Sequence, residues 1–235
     1  LWSYGCSYTA GFINPEDGSV PQPGSKYGDY YVWRGNNFPK IYAELIAEEF
    51  NLELVNRAKV ATAVIHAFWR LTEDSHKWNQ GDVVLYQTTM QERYPMWEEK
   101  YKVWTCLGND TDYPISLKAQ EEFKLNRLGT SRAWQRETIA CIRGAKAIAD
   151  NKGCTFLAIP FDENTSYEIF HNKDVYEDIL EHVVHINQLT IRFDGKKLLP
   201  TISDETNEEV KDLHYGEYGN KKQAEIISSF LRRFL

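Results

Sequence analysis

The chain alternates short apolar runs with helix-periodic segments. That alternation restricts the fold more than any other feature of its 235 residues. Leu1–Tyr4, Leu52–Val55, Val83–Tyr86 and Thr155–Ile159 read as strands. Between them, Phe38–Phe50 carries Ile41, Leu45, Ile46 and Phe50 at helical spacing, with Pro39 in its first turn. Ala61–Leu71 does the same with Val64, Ile65, Phe68 and Leu71. A longer helical region covers about 117–151, residues 173–187 look helical, and Gly219–Phe234 forms a terminal helix. Val83-Val84-Leu85-Tyr86 is apolar without alternation, the pattern of a strand covered on both faces. Strand and helix taking turns in this way predict an α/β fold. The expected form is a three-layer, doubly wound, flavodoxin-like sandwich around a mainly parallel sheet.

The length suits one domain spanning 1–235, with two excursions. Residues 12–37 hold Pro15, Pro21, Pro23, Gly18, Gly24, Gly28 and Gly35 together with Tyr27, Tyr30, Tyr31 and Trp33. A long aromatic loop of this kind is a lid or binding wall, or a surface excursion packed on the domain. Residues 90–116 read as an irregular, aromatic insertion with one possible strand at Tyr101–Leu107. Asp194-Gly195, between apolar flanks, marks a hairpin or turn.

Charge narrows the partners. The net charge is −7 and no Lys/Arg run occurs, so a polyanion such as nucleic acid is not an expected ligand. No apolar stretch approaches the roughly 18–20 residues of a membrane span, and no signal peptide is visible. Cys6, Cys106, Cys141 and Cys154 show no metal-ligand spacing and read as reduced core thiols of a cytosol-like compartment. His182 and His185 have the i, i+3 spacing that can hold a metal, but no third ligand stands nearby, and a surface pair is the expected reading. No cofactor or metal is expected.

The two ends of the chain carry the chemistry. The first strand runs into Gly5-Cys6-Ser7-Tyr8-Thr9. Asp212-Leu213-His214 precedes Gly216, Gly219 and the terminal helix. A serine hydroxyl is a poor nucleophile until a base removes its proton. Histidine does this near neutral pH, and a carboxylate holds the imidazole in the right tautomer. In a parallel α/β sheet, ligands sit at the carboxyl ends of the strands, where strand order reverses. Ser7, Asn56–Ala61 and Gln87–Thr89 all fall at such ends.

Gly5-Cys6-Ser7-Tyr8-Thr9 resembles the Gly-Asp-Ser-x-Thr opening block of the SGNH (GDSL-like) hydrolase superfamily, and it stands in the same place after the first strand. Asp212-Leu213-His214-Tyr215-Gly216-Glu217-Tyr218-Gly219 resembles that family's closing block. The resemblance implies an esterase in which Ser7, Asp212 and His214 are catalytic. The oxyanion hole would comprise the backbone N–H groups of Ser7 and Ala61, with Thr89 at the position of the third block's Asn. The middle blocks depart from the pattern: Ala61 stands where a glycine is usual, Thr89 replaces an Asn, and Asp212 lies two residues before His214 rather than three. Gly108-Asn109-Asp110 is a rival for the third block. Asn56 and Arg93 are candidate substrate-binding residues.

Other roles stand beside these. Ser7 also suits a helix cap, Cys6 is an adjacent thiol nucleophile, and Asp212 and His214 also suit a surface turn. The aromatic, polar-edged composition fits a small ester substrate, such as an O-acetyl group on a carbohydrate. Acyl transfer to another alcohol would use the same residues. A non-catalytic binding module would keep the pocket and lose the hydrogen-bond chain.

Overall fold

The computed structural model describes residues 1–6, 9, 40–59, 62–89, 94–98, 103–107, 131–161, 163–186 and 217–235. The elements run β1 (Trp2–Tyr4), α1 (Tyr42–Glu49), β2 (Val55–Asn56), α2 (Val64–Asp74), β3 (Val83–Gln87), β4 (Tyr94–Glu98), β5 (Val103–Leu107), α3 (Ser131–Asn151), β6 (Thr155–Ile159), α4 (Glu163–His171), α5 (Glu177–Leu180) and α6 (Glu217–Leu231). Among the described residues the main sheet has the order β2-β1-β3-β6, and every pairing in it is parallel. This is the doubly wound order expected from the sequence. An isolated parallel bridge from Ala158 to Val183 extends the edge beyond β6.

Burial on both sides explains the sequence of β3, whose five residues are all buried. Val83 and Leu85 face one core with Leu157 and Ile159, under Tyr42 and Ile46 of α1 and Ile227 and Leu231 of α6. Val84 and Tyr86 face the other core with Phe156, under Val64 and Leu71 of α2 and Ile142 of α3. Helices on both faces make the three layers, with Ile169 of α4 and Ile179 of α5 joining the second core. In α1 the Glu44 carboxylate accepts a hydrogen bond from the Ile41 N–H at 2.8 Å, which satisfies one donor at the helix start.

The structure departs from the sequence expectations in three places. Residues 94–98 and 103–107 pair as an antiparallel hairpin, Tyr94 opposite Leu107 and Pro95 opposite Cys106, where an irregular stretch with one strand was expected. Pro95 hid the first of these strands, since proline is tolerated only at a sheet edge. The segment 173–187 is helical only over Glu177–Leu180, because Val183 and Val184 leave the helix to join the edge of β6. Glu163–His171 is a helix that the apolar periodicity did not reveal. The helical part described within 117–151 starts at Ser131.

Candidate active site

Strand order reverses between β1 and β3. The chain leaves β1 for β2 on one side and returns to β3 on the other. Register places Ser3 beside Asn56 and Leu85, and Tyr4 beside Tyr86. Gly5-Cys6, Asn56–Lys59 and Gln87–Thr89 therefore leave the sheet together, at its carboxyl edge. Backbone bonds carry the β1–β2 ladder past the strands: the Arg57 N–H donates to Ser3 at 2.8 Å and the Lys59 N–H to Gly5 at 3.1 Å.

The residues on either side of Ser7-Tyr8 are held from four directions. The Thr9 N–H donates to the Cys6 carbonyl at 3.0 Å. The Asn56 amide donates to the Thr9 carbonyl at 3.0 Å, and its own oxygen accepts from the Ala58 N–H at 3.0 Å. The Thr9 hydroxyl donates to Gln87 Oε1. It also lies 2.9 Å from the Tyr42 hydroxyl, which is therefore the donor in that pair. Thr9, Tyr42 and Gln87 are fully buried. Burial pushes the Tyr42 phenol well above its usual range, so it keeps its proton and remains a donor. Gly5 makes room for this cluster: a Cβ there would stand 2.9 Å from Thr9 Cβ and 3.1 Å from Gln87 Cβ.

Two threonines follow β3, and they differ in use. The Thr88 hydroxyl accepts from the Phe161 N–H at 2.9 Å and its N–H donates to Ile159, so it serves the scaffold. The Thr89 hydroxyl is buried and has no hydrogen-bond partner among the described residues. The rival Gly108-Asn109-Asp110 follows β5, which belongs to the separate hairpin.

The start of α2 adds a charged border. Burial, and then the charges of Arg70 and Lys59, lower half-buried His66 to about 4, so it is neutral at neutral pH. At the other end of α2, the buried Asp74 carboxylate takes Arg57 Nε at 2.7 Å and Lys77 Nζ at 2.7 Å. Burial raises its pKa, but the hydrogen bonds from Lys77 and Arg57 outweigh that and hold Asp74 below the usual carboxylate range.

Among the residues singled out from sequence, Asn56 and Thr89 stand at this edge. Ser7, Ala61, Arg93, Asp212 and His214 lie outside the described residues, as do the whole 12–37 loop and Gly108–Asp110. Cys6 is buried directly before Ser7. Cys141 is buried as well, and burial pushes its thiol up to about 12, which makes it unreactive. His182 and His185 part company: His182 Nδ1 lies 3.0 Å from the Phe156 carbonyl and its ring stacks on Phe234, while His185 meets Phe170 edge-on. Among the described residues no group of His, Cys, Asp and Glu can hold a metal.

Sequence reasoning passed over Tyr42, and it placed Gln87 at a strand end without giving it a role. Gln87 carried a readable signal, a polar side chain closing an otherwise apolar buried strand. Tyr42 carried none, since its hydroxyl matters only through a contact 33 residues away.

The sequence matches no protein-family model and no curated protein. Its structure is similar to that of a protein from Desulfitobacterium hafniense DCB-2 described as lipolytic and of the G-D-S-L family, with 13% identity, a TM-score of 0.49, and 97% of each chain covered. It is also similar to a carbohydrate esterase described as having divergent catalytic and non-catalytic binding functions in its active site, with 12% identity, a TM-score of 0.47, and 99% of this chain and 67% of that one covered. An acetyl xylan esterase from the rumen bacterium Butyrivibrio proteoclasticus gives 11% identity and a TM-score of 0.48, with 99% of this chain and 63% of that one covered. The parallel β2-β1-β3-β6 order, independent of these likenesses, makes the fold doubly wound α/β with its ligand edge at β1 and β3.

Proposed function

We propose that the chain is a serine esterase acting on a small ester such as an O-acetyl group on a carbohydrate. The observation that supports this reading is the convergence, at the switch point, of Gly5-Cys6 and Thr9, on either side of Ser7-Tyr8, with Gln87 at the end of β3, two residues before Thr89. A nucleophile and an oxyanion donor belong side by side there.

In this reading Ser7 attacks the ester carbonyl. His214 takes the hydroxyl proton as the bond forms and then gives a proton to the departing alcohol. Asp212 holds the ring and balances the imidazolium. The backbone N–H groups of Ser7 and Ala61, with the Thr89 hydroxyl, receive the charge on the carbonyl oxygen, each donor contributing about 3–4 kcal/mol to lowering the barrier. Water, deprotonated by His214, then attacks the acyl-enzyme and releases the acid. Asn56 supports the site from behind, because both arms of its amide hold backbone. Arg93, a few residues past β3 in the chain, is the candidate to meet an anionic group on the substrate.

A fluorophosphonate probe tests the nucleophile without the natural substrate. Wild type takes the label and hydrolyses p-nitrophenyl acetate, and Ser7→Ala does neither. An unlabelled wild type, or a Ser7→Ala protein that still labels, overturns the reading.

A further inference from the structure

We propose that Tyr42 is a positioning residue that ties the nucleophile segment to the start of the last helix, resting on the assignment of Ser7 and His214 above. The phenol donates to Thr9 Oγ1 at 2.9 Å, two residues after Ser7. The Tyr42 N–H donates to Asn220 Oδ1 at 3.0 Å, six residues after His214. Asn220 lies in α6, whose chain follows directly on the Asp212–His214 block. One residue at the start of α1 therefore touches Thr9, two residues after Ser7, and α6, the helix that follows the Asp212–His214 block in the chain.

The chemistry of the contact favours positioning over plain packing. Thr9 passes its own proton to Gln87 Oε1, so the chain Tyr42–Thr9–Gln87 has a single direction. Gln87 keeps a buried amide nitrogen with no partner among the described residues, at the end of a strand whose other four residues are apolar. An apolar side chain would avoid that cost, and a stable core needs no amide there. The polar group makes sense as the stop that fixes the depth and rotation of Thr9. Gly5 leaves no spare room around it, since even a methyl group would press on Thr9 and Gln87. A side chain fixed on both sides in this way sets the approach of a neighbouring nucleophile to within a fraction of an ångström, and a misplacement of about 1 Å can cost about 100-fold in rate.

The test uses the full chain with p-nitrophenyl acetate and the fluorophosphonate probe. Tyr42→Phe removes only the hydroxyl. It is expected to lower kcat by about 10–100-fold with KM within about twofold of wild type. Thr9→Val is expected to do the same, while Thr9→Ser, which keeps the hydroxyl, restores kcat to within about threefold. The Tyr42→Phe/Thr9→Val double variant is expected to be no slower than the slower single one, because both break one chain. Asn220→Ala is also expected to lower kcat. Circular dichroism and thermal melting confirm that each variant is folded; if Tyr42→Phe fails to fold, the Thr9→Val and Thr9→Ser pair decides. Wild-type kcat in the folded variants, a change confined to KM, or Thr9→Ser as slow as Thr9→Val overturns the proposal while the esterase reading stands. A wild type that takes no label overturns both.

Discussion

Gly5→Ala is the sharpest perturbation of the site. Gly5 does not have a positive φ, so alanine is allowed by the backbone and only space opposes it. The new Cβ would stand 2.9 Å from Thr9 Cβ and 3.1 Å from Gln87 Cβ, and it would also meet Thr9 Oγ1. Carbon–carbon contacts settle at about 3.5–4.0 Å, so something must move by about 0.5–1 Å. Gln87 is pinned in the ladder opposite Ile159, whereas Thr9 lies beyond the end of β1, so Thr9 gives way. Overpacking of this size costs about 2 kcal/mol. Loosening the Thr9 hydroxyl adds about 1 kcal/mol. The stiffer unfolded chain returns about 0.5–1 kcal/mol. A net loss of about 2 kcal/mol lowers Tm by roughly 4–8 °C for a chain of this size. A shift of this size beside Ser7 slows fluorophosphonate labelling by about 10–100-fold. Thermal melting and labelling rate are measured on the same preparation. Wild-type Tm together with wild-type labelling would refute the packing of Thr9 against Gly5 and everything built on it.

Two further outcomes follow from the charged border. Asp74→Asn removes the carboxylate that takes Arg57 and Lys77, whose side chains are 27% and 51% exposed. Both cations can rehydrate, so the loss is about 2 kcal/mol rather than the larger cost of a wholly buried pair, read as a lower urea midpoint. His66 has its folded pKa lowered from 6.5 to about 4. The unfolded chain therefore binds the proton first as pH falls. Stability is full above the unfolded pKa and drains away between about pH 6.5 and 4. His66→Gln is expected to flatten that part of the stability–pH curve, and an unchanged slope in denaturant titrations over this window refutes the shift.

Most of the fold was legible because its signals are local. Val83–Tyr86 has no polar break, and only a central parallel strand wants that pattern. The stripe on α1 announces part of the buried face: Ile41 and Ile46 are buried and Leu45 and Phe50 half-buried, while Tyr42, Ala43 and Ala47, outside that stripe, face inward as well. The hairpin at Tyr94–Leu107 was half legible. Its second strand has ordinary β-formers, whereas Pro95 in the first argues against a strand unless that strand is an edge. Val183-Val184 read as helix because nothing local shows the open edge of β6 that draws the segment out.

By itself the sequence determined the chemistry available: a serine after the first strand, an Asp and a His before the last helix, and the strand–helix alternation that can bring such ends together. These are properties of residue type and period, and they need no knowledge of what touches what. Only the tertiary structure decided how the nucleophile segment is held. The Tyr42–Thr9–Gln87 chain joins residues 33 and 78 positions apart, and the Tyr42–Asn220 bond spans 178. The same holds for the difference between Thr88 and Thr89, adjacent and alike in sequence: the Thr88 hydroxyl accepts from the Phe161 N–H, and the Thr89 hydroxyl is buried with no partner among the described residues. Contacts of that range depend on how strands are ordered and how deeply side chains are buried, which no local pattern records.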